Sequence, residues 1–285
     1  PETYSAESTS RIDRLVSSKL REYGLKLRKM VADGKKPAVV KKEKTEMLKT
    51  VYRMLTMAYG VPPTEFTYCH HDKDGKPVGE EKTYTPLSFA EEVGALKTLN
   101  DGYLMVMNDP RHPYHKVYEI EYDRHTYDGT NWRYLNLPME EVEALAIKAL
   151  QGGQKMYSSY DVGKFLDSKR GFASLENFDY ASLFQTDFSM NKAERISTHD
   201  SGSTHAMTLS AVNLDAKGQP TAWKVENSWG SDHGQKGCLV MTADWFKEYM
   251  FRLVVPVKYA SKELMKEYAQ KPVMLKYDDA LFSDK

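Results

Sequence analysis

The sequence predicts an α+β protein in which helices come first and an antiparallel sheet comes late. Apolar residues recur every three or four positions over roughly the first 60 residues, which is the helical period. In the last third, short apolar and β-branched segments alternate with turn residues such as Gly218 and Pro220. Helices and strands that segregate along the chain in this way are typical of the α+β class.

Composition excludes several classes of protein. The 285 residues carry 40 Lys+Arg and 40 Asp+Glu, so the formal net charge is zero. A strongly basic nucleic-acid binder is therefore excluded, and nucleic acid is an unlikely partner. No run approaches the ~20 apolar residues of a membrane-spanning helix, so no membrane partner is expected. Two cysteines, Cys69 and Cys238, are too few for a disulfide framework.

Residues 1–64 are predicted to form a helical hairpin. The first helix follows the capping segment 8–10, and the second runs from about residue 44 to 59. Gly-Val-Pro-Pro at 60–63 stops the second helix. Its apolar stripe, predicted to face a core, consists of Met47, Leu48, Val51, Met54, Leu55 and Ala58.

Residues 65–135 are predicted to be a β-rich region outside the late sheet. Strand-like segments at 66–68 and 82–84 flank Asp-Lys-Asp-Gly-Lys at 72–76, which is the signature of a hairpin. Thr85-Pro86 predicts the start of a short helix, since Thr is a good cap and Pro suits the first turn. Further strands are predicted at 103–107 and 117–122.

Residues 136–270 are predicted to form the β-sheet subdomain, and residues 271–285 a C-terminal tail. A helix at 138–151 and a strand at 155–160 come first. The later elements are strands at 205–214, 222–226, 237–241 and 252–257, a turn at 217–220, a helix at 242–249 and a last helix after Ser261.

Histidine pairs suggest a metal site at first sight, but their context argues against one. His70 and His71 lie next to a hairpin turn with Asp72, and His112 and His115 bracket a proline loop. Zinc needs three or four ligands that converge at fixed distances. The acidic turn also departs from the calcium-loop pattern. We therefore expect no metal and no cofactor.

The chemical signal lies in the late sheet. His205 opens one strand, and Asn227 follows the next strand along the chain. The turn at 217–220 folds these strands back on each other, so the two side chains could face one another. An amide oxygen beside an imidazole fixes its tautomer, as a general base requires. Trp229 could shield the pair from water. A lone histidine at a strand start is more often structural, so the prediction depends on this combination.

Several motifs together resemble one family, the papain-like cysteine peptidases, and within it the bleomycin hydrolase and aminopeptidase C branch. The resemblance covers essentially the whole chain. It is carried by Thr204-His205-Ala206-Met207, Val225-Glu226-Asn227-Ser228-Trp229-Gly230, Asp232-His233-Gly234, Asp161-Val162-Gly163-Lys164, Met190 to Arg195, Tyr134 to Pro138 and the opening Pro1-Glu2-Thr3-Tyr4.

The resemblance implies a papain-like fold and a Cys-His-Asn triad that hydrolyses peptide substrates. His205 would be the general acid and base, Asn227 would orient it, and Trp229 would cover both. It also implies a homohexamer in which residues 1–64 and 65–135 make contacts. A cytoplasmic location is implied as well, with secretion or a periplasmic location left open.

The chain departs from the family at the nucleophile. Neither Cys69 nor Cys238 lies in the expected Gln…Cys-Trp context or at a predicted helix N-terminus. We therefore expect this chain to be a C-terminal portion, incomplete at the N-terminus and inactive alone, whose partner is an N-terminal segment carrying the cysteine. The alternative is a non-catalytic scaffold or binding subunit of the same fold.

The tail is the second departure. In this branch the C-terminal carboxylate lies in the cleft, which would here assign substrate binding to Lys285. The last ten residues are more polar than the usual ending. Aminopeptidase specificity is therefore a hypothesis, and the alternative is a tail disordered in solvent.

Overall fold

The computed structural model describes residues 9–94 and 102–282. The chain divides into two compact units, Pro1–Val93 and Gly94–Lys285. Within the described ranges, no helix is both long and apolar enough to cross a membrane.

The first unit begins with the predicted helical hairpin. Helices α1 (Ser10–Ala32) and α2 (Pro37–Tyr59) pack on each other. Thr9 caps α1 by position only, because its hydroxyl bonds the Asp13 carboxylate instead of a backbone N–H. Helix α2 begins before the predicted residue 44, since Pro37 supplies the fixed φ of a first turn.

The predicted apolar stripe of α2 is only partly buried in this unit. Met47 and Val51 are buried, whereas Leu48 is 50% exposed and Leu55 is 37% exposed. Helix α1 has no buried residue among those described. Two helices side by side cannot bury both apolar faces, so much of this hydrophobic surface stays in contact with solvent.

The rest of the unit follows the prediction closely. Strands β1 (Phe66–His71) and β2 (Pro77–Tyr84) form an antiparallel hairpin. The Asp72 carboxylate accepts hydrogen bonds from two backbone N–H groups of the turn. Helix α3 (Pro86–Glu92) starts with a capping box between Thr85 and Ser88.

The second unit is built on a sheet of eleven strands. In chain order they are β3 (Tyr103–Met107), β4 (Lys116–Ile120), β5 (Arg133–Asn136), β6 (Met156–Tyr160), β7 (Leu166–Asp167), β8 (Phe172–Ala173), β9 (His205–Leu214), β10 (Pro220–Glu226), β11 (Cys238–Thr242), β12 (Met250–Pro256) and β13 (Val273–Leu275). Their spatial order is β13-β4-β5-β3-β12-β6-β9-β10-β11-β8-β7.

The sheet is mixed, and its late strands pair in an antiparallel way as predicted. The central run from β3 through β12, β6, β9 and β10 to β11 is antiparallel. Three outer pairs, β4–β13, β3–β5 and β8–β11, are parallel. The late strands identified in the sequence are the antiparallel ones, and the parallel partners come from segments too short to show a period.

The expectation that residues 65–135 lie outside the sheet is wrong for the strands β3, β4 and β5. Strand β3 pairs with β12, so that Val106 lies opposite Leu253, and both are fully buried. A strand shows the same two-residue period whether it pairs locally or with a distant segment. The period alone therefore could not show that this region belongs to the same sheet.

Helices cover the sheet and complete its core. They are α4 (Met139–Gln151), α5 (Tyr180–Phe184), α6 (Lys192–Ser197), α7 (Ala243–Tyr249) and α8 (Lys262–Tyr268). Helix α7 packs the fully buried Phe246 on Trp223 of β10, with ring centroids 4.4 Å apart. This packing holds β10 and its neighbour β9 in place, and these two strands carry the predicted site.

Candidate active site

Two strand ends bring the predicted pair together. His205 is the first residue of β9 and the Cα partner of Tyr160 in β6. Asn227 directly follows β10, and its backbone N–H donates to the Gly237 carbonyl at 2.9 Å. Because β9 and β10 are antiparallel, the start of one strand lies beside the end of the other.

The hydrogen bond between the two side chains defines the tautomer of the histidine. His205 Nε2 lies 2.9 Å from Asn227 Oδ1. The same oxygen accepts the backbone N–H of Ser228 at 2.8 Å, and only the amide oxygen can accept that bond. Nε2 of His205 must therefore carry the hydrogen. The second ring nitrogen, Nδ1, is left to exchange a proton with another group.

Trp229 covers the pair as predicted. Its ring stacks on the His205 ring with centroids 5.3 Å apart and planes inclined by 28°. The indole itself remains 36% exposed, so it forms a lid between the imidazole and solvent. Shielding from water strengthens the hydrogen bond beneath it.

An open groove of about 420 Å³ borders Asn227. Tyr157, Met207 and Glu226 are among its lining residues, together with Asn227 itself. Within the described ranges, the buried Nδ2 of Asn227 has no hydrogen-bond partner. Open space and an unused donor therefore both lie at Asn227, the hydrogen-bond partner of the imidazole.

The two cysteines lie in strands β1 and β11. Cys69 lies in β1 of the first unit, with Sγ 3.7 Å from the Val78 carbonyl oxygen. Cys238 begins β11 and is the Cα partner of Glu226. The hydrogen bonds of the described chain join neither thiol to the histidine. Within residues 9–94 and 102–282 the site thus consists of an imidazole and the amide bonded to it.

One group of side chains has the spacing of metal ligands but a different role. Ligand atoms of Asp109, His112 and Asp279 lie within 4.8 Å of one another. The Arg111 guanidinium already bridges both carboxylates, at 2.7 Å from each. The cluster is therefore an ion-pair network held by an internal cation. Sequence reasoning missed its two aspartates.

The tail is packed as far as the structure describes it. Leu281 is 3% exposed and packs with Ile196 and Phe251. Asp279 is held by Arg111. The prediction of a tail disordered in solvent is therefore wrong for the segment that ends at Phe282. Lys285, the predicted substrate-binding residue, lies outside the described residues.

A buried acid near the site was also missed. Asp161 directly follows β6 and is 6% exposed, with its carboxylate bonded to Ser201 and Thr204. Asp161 belongs to a motif that resembles the family, but the sequence suggested no role for it. The one available signal was an acidic residue placed directly after an apolar strand.

Comparison with known proteins identifies the family of the chain. The family model described as "Peptidase C1-like family" matches residues 1–282. Human bleomycin hydrolase is 36% identical over 281 residues, an alignment that covers 96% of this chain and 61% of that protein. Aminopeptidase C of Streptococcus thermophilus is 34% identical over 277 residues, covering 96% and 62%. The chain thus spans about three fifths of the length of these relatives.

A solved structure shows the same fold. The crystal structure of PepW from Lactobacillus rhamnosis HN001 superposes with a TM-score of 0.89 at 34% identity, covering 99% of this chain and 64% of that one. The papain-like fold implied by the sequence motifs is therefore confirmed. On the family match, the relatives and the fold, this chain belongs to the Peptidase C1-like family of cysteine peptidases.

Proposed function

We propose that this chain supplies the histidine and asparagine of a thiol peptidase of the bleomycin hydrolase and aminopeptidase C type. The observation that carries the proposal is the bond from His205 Nε2–H to Asn227 Oδ1, which leaves Nδ1 free for a thiol. The names of the relatives support the same activity. The nucleophilic cysteine would come from a polypeptide segment other than residues 1–285.

The reaction follows from these roles. The thiol gives its proton to His205 Nδ1, and the resulting thiolate attacks the carbonyl carbon of the peptide bond. The imidazolium then protonates the leaving amine as the C–N bond breaks, which leaves an acyl-enzyme. Water, deprotonated by the neutral imidazole, attacks the acyl carbon and releases the thiolate and the acid.

Asn227 and Trp229 would support both half-reactions. The Asn227 oxygen accepts from Nε2–H whether the ring is neutral or charged, so the ring keeps its orientation while Nδ1 gains and loses the proton. Trp229 limits access of water to that bond. Neither side chain needs to move between the steps.

Specificity and assembly form the finer part of the proposal. Aminopeptidase activity would follow if the C-terminal carboxylate of Lys285 bound the α-amine of the substrate. The packed tail supports this idea, because it gives the final residues a fixed starting point at Phe282. A homohexamer and a cytoplasmic location remain predictions from the family resemblance.

Labelling with an epoxide probe for thiol peptidases tests the proposal. We treat the complete protein, including the segment that carries the expected cysteine, and measure intact masses under denaturing conditions. One adduct is expected on that segment, and His205→Gln should abolish it. His125→Gln, an exposed histidine beside Trp132, is the matched control and should be labelled normally.

Two results would contradict the proposal. A single adduct on Cys69 or Cys238 would place the nucleophile within this chain. No adduct on any species would favour the non-catalytic scaffold or binding subunit.

A further inference from the structure

A buried carboxylate, that of Asp161, is bonded to the segment that precedes the predicted catalytic histidine. Asp161 follows Tyr160, which is the Cα partner of His205. Its carboxylate accepts a hydrogen bond from Ser201 Oγ at 2.8 Å and lies 3.3 Å from Thr204 Oγ1. The side chain is therefore bonded to the segment that leads into His205.

Backbone bonds hold the same segment at both ends. The Thr204 N–H donates to the Tyr160 carbonyl at 3.0 Å, and the Ser201 N–H donates to the Arg195 carbonyl at 3.1 Å. Ser201 is fully buried. Asp161 is itself fixed, because its N–H donates to the Tyr249 carbonyl at 2.9 Å. Residues 201–204 thus enter β9 along a path set by buried polar contacts.

These contacts match the two acceptor oxygens of a carboxylate. The two carboxylate oxygens of Asp161 face two different hydroxyl groups, and an amide has only one acceptor oxygen. The ion pairs of the described chain leave Asp161 without a cation, and the nearby Lys164 pairs with Asp200 at 3.0 Å. Burying a carboxylate whose hydrogen bonds come from hydroxyl groups is costly, which indicates that its position matters.

We propose that Asp161 is a positioning residue for His205, which it acts on through Ser201 and Thr204. This inference rests on the proposed function. The imidazole projects from the first residue of β9, so a displacement of residues 201–204 moves the ring relative to Asn227. A misplacement of about 1 Å can cost on the order of 100-fold in rate at an active site.

Ring NMR of the 285-residue chain tests the proposal without requiring catalysis. We label the eight histidines with ¹⁵N in the ring and assign His205 with the variant His205→Gln. At a fixed alkaline pH, the wild type should show one tautomer with a protected Nε2–H. Asp161→Asn, which keeps one acceptor, should weaken that signature. Asp161→Ala, which keeps none, should give mixed tautomers and lose the protected proton.

Two controls separate positioning from loss of stability or charge. Leu209→Ala opens a cavity in the same strand β9, where Leu209 is fully buried, and should destabilise the fold without altering the tautomer. Asp200→Asn removes a partly exposed charge from the same loop and should leave the ring unchanged. If Asp161→Ala does not fold, Ser201→Ala combined with Thr204→Val removes both donors and serves instead.

The outcomes are distinct from those of the labelling experiment. A folded Asp161→Ala with wild-type ring shifts would overturn the positioning role, and so would a Leu209→Ala that changes the ring equally. In the complete protein, Asp161→Asn should lower kcat by roughly 10-fold or more with little change in KM. The ring signature can be measured even if the protein proves not to be a peptidase.

Discussion

At the scale of single residues, two buried ionisable groups lie outside the site. Lys192 donates to Asn108 Oδ1 and to the Met250 carbonyl, each at 2.7 Å, and burial lowers its pKa to about 7. Burial raises the pKa of Glu143 to about 7, with Lys247 3.8 Å away as its cation. Because both pKa values differ from the ordinary values of these groups, the free energy of unfolding depends on pH near neutrality.

The linkage has opposite signs for the two groups. The folded pKa of Lys192 lies below its ordinary value of 10.5, so the unfolded chain binds more protons between about pH 7 and 10.5. The free energy of unfolding contributed by Lys192 therefore rises with pH across that window. The folded pKa of Glu143 lies above 4.5, so its contribution falls as pH rises from about 4.5 to 7.

In the variant Lys192→Met, the free energy of unfolding should no longer rise with pH above neutrality. Methionine fills a similar space but carries no titrating group. The wild type should gain up to about 1.4 kcal/mol per pH unit relative to this variant above pH 7, measured by urea unfolding. Glu143→Gln is the control, and it should instead change how the free energy of unfolding depends on pH below pH 7. Parallel pH profiles for the wild type and Lys192→Met would show that the prediction is wrong.

At the scale of elements, the C-terminal segment is joined to the sheet by several different contacts. Strand β13 pairs in parallel with β4, and Phe282 lies against the Tyr134 ring with centroids 5.5 Å apart. Arg111 bridges Asp109, which is fully buried, and Asp279 of the tail. The bridge joins two segments that are 168 positions apart.

Breaking the bridge should release the tail. Arg111→Met leaves the buried Asp109 and the partly buried Asp279 without their guanidinium partner, so we expect a loss of about 3–5 kcal/mol in the free energy of unfolding. Hydrogen exchange should increase between residues 276 and 282. Arg170→Met, which alters an exposed pair with Asp167, is the control and should cost under about 1 kcal/mol.

The same element tests the aminopeptidase proposal. Removing residues 283–285 spares the packed Leu281 and Phe282, so the fold should survive. In the complete protein, cleavage should then shift from N-terminal trimming toward internal peptide bonds. Unchanged products would remove the proposed role of the Lys285 carboxylate.

At the scale of the whole molecule, the first unit carries much exposed apolar surface. Leu15, Leu20 and Leu25 of α1 are 56%, 46% and 69% exposed. Large apolar side chains that remain exposed in this way can mark association sites. The predicted homohexamer would provide a second copy of the chain to cover it.

Charge placed on that surface should weaken assembly. The complete protein should elute as a hexamer in chromatography with light scattering, and Leu25→Glu should shift it toward smaller species. Ser18→Glu adds the same charge at another exposed position of α1 and should leave the assembly intact. A monomeric wild type would exclude the hexamer, and equal effects of both variants would assign the change to charge alone.

The sequence by itself determined the features that depend on local pattern. The bounds of β3 and β9 and the hairpin of β1 and β2 follow from two-residue alternation and turn residues, which act over a few positions. His205 and Asn227 could be paired because one short turn joins their strands. The position of Trp229 beside this pair was predicted from the same motif.

Only the tertiary structure decided which distant segments meet. The pairing of β3 with β12, the bridge from Arg111 to Asp279 and the bonds from Asp161 to Ser201 and Thr204 join positions far apart in the chain. Such contacts form because folding buries polar groups that must then find partners, and no local period records which partner is found. The contacts of Asp161 with the segment before His205 could therefore be identified only from the assembled sheet.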